Sequence, residues 1–321
     1  MLSAHRLTES IAGGLQLTGA VRVLRAVANR RHGGYILAFH SAPVDTMTAL
    51  VEGLHPDTVV SLDEIVSRHR AGRSTAGLFA VTVDDGFGST VEDYCLAAGR
   101  RAWPVTFYLP TLFLDAGTLP FLLLQRLQAV LPAAVLQVRG HAVDLRAPAA
   151  RQRYFDALTY RMYRRPDAEF LPDIQALADA AVAGGVVADA DLRPLMPPIS
   201  WERVAALAQQ PGVAFESHGV THQAVVSFNA DDLRHELVRS QQEIAARTGR
   251  PVRHFCYPYG GAASVGGAAP ALVAEYFDSA VTMSRGRLGG HSPYLLPRVP
   301  LYDRDRASVA RLKVATAAVW A

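Results

Sequence analysis

Two histidines spaced four apart, His218 and His222 in Phe215-Glu216-Ser217-His218-Gly219-Val220-Thr221-His222, stand downstream of an Asp84-Asp85-Gly86 step. Each segment follows an apolar, strand-like run. Two imidazoles and one carboxylate are the donors a catalytic divalent metal needs when a coordination position is left for water. Asp85, His218 and His222 make a facial triad with open positions. Zinc is the simplest occupant, and iron, nickel or cobalt suit the same donors. Taken alone, Asp-Asp-Gly is equally an ordinary turn, since both residue types favour turns. A lone histidine is more often a polar structural residue than a ligand. The combination is what points to a metal.

Other residues could serve the same chemistry. At the C-terminal end of a barrel strand, side chains face the active mouth. Of two adjacent carboxylates there, one can bind metal while the other stays free to take a proton from water. Tyr257-Pro258-Tyr259-Gly260-Gly261 follows an apolar strand and turns sharply, so a backbone N–H there could face a developing oxyanion. His40 ends Ile36-Leu37-Ala38-Phe39-His40 and is a candidate general acid, with a core histidine as the competing reading. Arg298, in Leu296-Pro297-Arg298-Val299-Pro300, could clamp a catalytic carboxylate.

The elements that must position these residues alternate. Strands are expected over 35–39, 78–83, 105–109, 213–215, 254–257 and 279–283. Ser61-Leu62-Asp63-Glu64 is a capping box opening a helix that stops near Gly72, and Ser89-Thr90-Val91-Glu92 is a second, with Gly99 as its stop. Ser200 caps a helix through Gln210, residues 231–248 form another ended by Gly249, and a short one begins after Pro270. Strands separated by helices imply parallel pairing and an α/β barrel, closed or partly closed. Residues 112–198 break the rhythm. They hold little strand pattern and three helical stretches, at 121–131, 151–163 and 170–182, which read as a helical insertion of the kind that shapes specificity.

Bulk properties exclude several classes. The chain has 321 residues, half of them hydrophobic, enough for a large core in one elaborated domain or two. A net charge of +3 with no basic tract argues against nucleic acid as a partner. Cys95 and Cys256 are too few for a disulfide framework and read as buried thiols. No secretory signal is legible, and the apolar stretch at 121–138 is broken by Arg126 and Pro132, so cytoplasmic residence is the expectation. A helix within residues 1–31, with Leu15, Leu17, Val21, Leu24 and Val27 at near-helical spacing, either packs on the domain or lies on an anionic membrane surface. Nothing in the sequence sets an oligomeric state.

Thr82-Val83-Asp84-Asp85-Gly86, Ser217-His218-Gly219-Val220-Thr221-His222 and Tyr257-Pro258-Tyr259-Gly260 resemble, in order, the first three motifs of the polysaccharide deacetylases, the NodB-homology domains of carbohydrate esterase family 4. The resemblance spans about residues 34–303 as a single domain interrupted by the insertion. It implies a distorted (β/α) barrel and a metal-dependent deacetylase acting on an N-acetylated sugar or glycan. By the same resemblance Asp84 is the general base, Asp85, His218 and His222 hold the metal, and the Tyr259 N–H helps form the oxyanion hole. Two departures matter. The third motif usually begins with an arginine that orients the base; Tyr257 stands in that region, and Arg298 is the proposed substitute. The late motif that usually carries the acid histidine offers only His291. In a permuted subgroup, similar to the poly-N-acetylglucosamine deacetylases, that histidine precedes the first motif, so His40 is preferred over His291. The rivals are an O-acetyl esterase or other amide hydrolase on the same site, and an inactive glycan-binding protein. With no signal legible, a cytoplasmic or lipid-linked precursor sugar fits better than an exported polymer.

Overall fold

The computed structural model describes residues 33–54, 58–164, 169–302 and 305–317; the helix expected within residues 1–31 lies outside them. The strands are β1 (Tyr35–Phe39), β2 (Phe79–Val83), β3 (Val105–Leu109), β4 (Val135–Val138), β5 (His141–Asp144), β6 (Val213–Ser217), β7 (His254–Cys256), β8 (Ser279–Arg285) and β9 (Leu296–Pro300). Seven of them close a parallel barrel in the order β1-β2-β3-β6-β7-β8-β9, and β1 meets β9 through Leu37 opposite Val299. This is the distorted (β/α) barrel expected. Strand β9 was not anticipated, because prolines at 297 and 300 mask it.

Alternation along each strand sorts the side chains. Leu37, Phe39, Val81, Val83, Phe107 and Phe255 point outward into one large core shared with Val91, Tyr94, Val204, Leu237 and Ile244 from the surrounding helices. Ile36, Ala80, Tyr108, Cys256, Val281 and Leu296 form a second cluster with Leu62, Ile65 and Val66. Helix Leu62–Arg70 therefore plugs the N-terminal end of the barrel. It starts where expected, with Ser61 Oγ accepting from the Glu64 N–H at 3.1 Å. Each such buried aliphatic side chain contributes about 2 kcal/mol.

The second capping box does not form. Helix Gly88–Arg101 begins two residues earlier, with Phe87 rather than Ser89 as N-cap and no side-chain cap among the described residues. Tertiary bonds take over that role: the Gly88 N–H donates to Pro197 O at 2.9 Å and the Ile199 N–H to Gly86 O at 3.0 Å. Gly99 lies inside the helix, which closes instead on Ala102 in the left-handed region at φ 53°.

The segment between β3 and β6 contains helices Pro120–Val130, Pro148–Arg164 and Phe170–Ala183 near their expected positions, together with the antiparallel β4–β5 hairpin that was not expected. Leu123, Leu127, Phe155, Ile174 and Leu177 give it a core of its own. Both of its ends are stitched to the loops that carry the motifs. Near its start, the Thr111 and Leu112 N–H groups donate to Gly219 O and Val220 O; near its end, Pro197 and Ile199 bond Gly88 and Gly86. Among the described residues no helix is long and apolar enough to cross a membrane.

Candidate metal centre and catalytic site

Strands β2 and β6 are separated only by β3, so the loops that follow them meet at the C-terminal mouth. There Asp85 Oδ1 stands 3.2 Å from His222 Nε2 and 3.7 Å from His218 Nε2. All three residues are buried. The His218 Nδ1 lies 2.7 Å from Cys256 O. That bond fixes the tautomer and aims Nε2 at Asp85, the usual support for a metal-binding imidazole. Burial, followed by the neighbouring His222, pushes His218 down to about 4, so its ring is neutral at pH 7. Among the described residues Asp85 Oδ1 has no hydrogen-bond partner. Three convergent donor atoms, one an orphaned carboxylate oxygen, fit a divalent cation.

Three of the residues involved hold left-handed backbone: Asp85 at φ 74°, His222 at φ 56° and Tyr259 at φ 61°. For a residue with a Cβ this costs about 1–3 kcal/mol and persists only where the surroundings enforce it. Gly86, at φ 75°, continues the turn, and a Cβ there would meet Leu109 Cδ2 at 2.7 Å. Gly260 is equally constrained, since a Cβ would fall 2.5 Å from Met283 N. The second-motif loop is held from outside by helix Ala230–Thr248. Glu236 accepts from the Val220 N–H at 2.8 Å, the Thr221 N–H at 3.1 Å and Thr221 Oγ1 at 3.0 Å. Nothing in the local sequence marks Glu236, a charged residue of an amphipathic helix, for this role.

Asp84 is wholly buried and clamped by Arg298, whose Nη1 and Nη2 each donate to a carboxylate oxygen at 2.7 Å. The guanidinium is itself satisfied, donating to Thr282 O at 2.9 Å and to Thr82 Oγ1 and Cys256 Sγ at 3.1 Å each. Burial alone would raise the Asp84 carboxyl. The charge and hydrogen bonds of Arg298, with His40 and His218, hold it well below the usual carboxylate range. His40 Nε2 is 3.6 Å from Asp84 Oδ2 and its side chain is 32% exposed, facing the opening. Cys256, read from sequence as a buried thiol, is indeed buried but also touches this pair, with Sγ 3.6 Å from Asp84 Oδ2.

The remaining candidates divide. Tyr257 packs among outward-facing core residues and donates its hydroxyl to Tyr294 O at 3.1 Å, away from Asp84. Tyr259 lies at the mouth, its ring 4.9 Å from that of His222, and its N–H makes no hydrogen bond among the described residues. His291 falls at the other end of the barrel, where its carbonyl accepts from His69 Nε2 at 2.9 Å on the plugging helix. It does not meet Asp85, His218 and His222.

Residues 159–266 match the family model for polysaccharide deacetylase, a span that includes His218, His222 and Tyr259. No curated protein sequence matches the chain. In fold it is similar to the deacetylase PplD of Streptococcus pyogenes, solved with acetate, at TM-score 0.57 and 11% identity over 88% of this chain and 97% of that one. The BpsB deacetylase domain of Bordetella bronchiseptica gives TM-score 0.52 and 15% identity over 84% and 96%. IcaB of Ammonifex degensii gives 0.52 and 12% over 88% and 95%. Sequence match and barrel agree with the resemblance read from the motifs: the chain has the fold of these solved deacetylases, and its residues 159–266 match the polysaccharide deacetylase family model.

Proposed function

We propose that the chain is a metal-dependent carbohydrate N-deacetylase, with Asp85, His218 and His222 as the metal ligands. The observation that carries this reading is Asp85 Oδ1 facing two imidazole nitrogens without a hydrogen bond, beside a second carboxylate clamped by a buried arginine. The fold and the family match support deacetylation of a polysaccharide. When bound, the cation would supply Lewis acidity to the acetyl carbonyl and to water; zinc suits the donors, as do iron, nickel and cobalt.

The chain's own groups do the rest. Asp84 takes the proton of the attacking water. Its pairing with Arg298 lowers its basicity but fixes its position and charge, which would suffice for a water whose acidity a bound cation would raise. The free Tyr259 N–H donates to the oxygen that gains negative charge. His40, in protonated form, gives a proton to the departing nitrogen, which would otherwise leave as an amide anion. Water adds across the C–N bond, yielding acetate and a free amine.

Acetate release from N-acetylated amino sugars, with and without chelator and alongside metal analysis, tests this reading. Activity on acetyl esters alone would make the protein an esterase. A tightly bound metal with no acetate released from any substrate would leave a glycan-binding role. Asp84→Asn is expected to keep the metal and lose roughly a hundredfold or more in turnover. His40→Ala should lose activity where His291→Ala does not.

A further inference from the structure

The insertion places aromatic rings around the metal ligands. Phe121, at the start of helix Pro120–Val130, lies 4.9 Å from the His222 ring. Tyr163, near the end of helix Pro148–Arg164, packs edge-on against Tyr259 at 5.2 Å, and Tyr259 in turn packs against His222 at 4.9 Å. The other face of that helix is buried, with Phe155, Leu158 and Met162 in the insertion's core. Tyr160 and Tyr163, three residues apart and so on one face, stay 57% and 43% exposed. Burial, and after it the charge of Asp85, raise the Tyr163 phenol above its ordinary value. A row of rings thus leads from the site to the surface. The hydrolysis described above needs none of the insertion's rings.

A tyrosine face suits one kind of occupant here. A pyranose presents a C–H face that packs on an aromatic ring and leaves its hydroxyls in water, and a protonated phenol can bond one of those hydroxyls. We propose that Tyr163, with Tyr160 one turn before it, forms a sugar-stacking subsite borne by the insertion, which takes the ring next to the one that loses its acetyl group. This rests on the deacetylase reading. It makes the substrate an oligosaccharide, bound across at least two rings.

The test uses metal-loaded protein and N-acetylhexosamine oligomers from monomer to pentamer. Acetate release gives the kinetics, and mass-spectrometric sequencing gives the position deacetylated. In the wild type kcat/KM rises with chain length. Tyr163→Ala raises KM for the pentamer roughly tenfold, about the strength of one aromatic contact, and alters which ring is deacetylated. Tyr163→Phe restores both, because the ring is what stacks. Tyr160→Ala gives a smaller shift of the same kind. The subsite is overturned if Tyr163→Ala changes neither pentamer KM nor position, or if Tyr163→Phe is as impaired as Tyr163→Ala. A wild type that releases acetate from none of the oligomers overturns the deacetylase reading itself, and the subsite with it.

Discussion

The barrel carries a carboxylate–imidazole cluster at each end. At the plugged end, His254 Nδ1 lies 2.8 Å from Ser279 Oγ and its Nε2 3.0 Å from Asp63 Oδ1. Glu216 there accepts the Arg253 and His254 N–H groups at 2.7 Å each. Both nitrogens of His254 are satisfied. At the open end, Asp85 Oδ1 and His222 Nδ1 are buried without a hydrogen-bond partner among the described residues, and three residues hold left-handed backbone. The residue types are nearly the same. Unused bonding capacity and enforced backbone strain separate a site prepared for a ligand from a cluster that closes on itself.

The sharpest way to break this contrast is to remove a donor from the open end. Asp85→Ala, His218→Ala and His222→Ala should each abolish stoichiometric metal and cut activity by on the order of a thousandfold or more. Metal analysis of the purified variants checks the first part. A variant that kept full metal would remove that residue from the triad.

Next in size is Arg298→Met, which strands the Asp84 carboxylate in the interior. Breaking a buried pair from one side costs about 3–5 kcal/mol. The pH dependence should also change sign. In the wild type the folded Asp84 pKa lies below its unfolded value, so the pair's contribution is present above about pH 4 and lost as pH falls further. Without the guanidinium, burial raises the carboxyl above its unfolded value, and stability falls as pH rises from about 4. Thermal melts across this range distinguish the two cases.

Glu236→Ala is expected to do less. It frees the Val220 and Thr221 N–H groups and loosens the loop that holds His222 at φ 56°. A supporting residue of this kind is worth about 10–100-fold in metal affinity. A chelator competition assay measures it. Glu236→Gln, which keeps one acceptor oxygen, should lose less.

How much of this was legible depended on whether a residue's role was local. Asp84-Asp85-Gly86 and the paired histidines could be read because each ends an apolar strand, and parallel strands put such ends together. The helix caps at Ser61 and Ser200 were local too, and both form. Helix Gly88–Arg101 was misjudged at both ends, since its start is set by a loop about a hundred residues later in the chain. Strand β9 was hidden by prolines, although Arg298 on it could still be proposed as a clamp. Glu236 and Cys256 had no sequence signal, because what they touch comes from other elements. Tyr163 stood in a stretch read only as helical, and nothing nearby tied it to Tyr259.

The smallest expected effect lies at the closed end, with Asp63→Asn. Asp63 bonds His254 from the plugging helix, yet its side chain is 56% exposed, so solvent screens most of the interaction. The hydrogen bond from His254 outweighs burial and holds the Asp63 pKa below its ordinary value. Its contribution is therefore present above about pH 4 and lost below it. Replacement should cost no more than about 1 kcal/mol at pH 7 and flatten the acid limb of the melting curve. Turnover should stay within twofold or so of wild type, because Asp63 lies at the end of the barrel away from Asp85, His218 and His222. A large loss of turnover with normal stability would mean that the two ends are coupled through β7, where His254 and Cys256 sit two residues apart, and the contrast between a prepared site and a closed cluster would have to be redrawn.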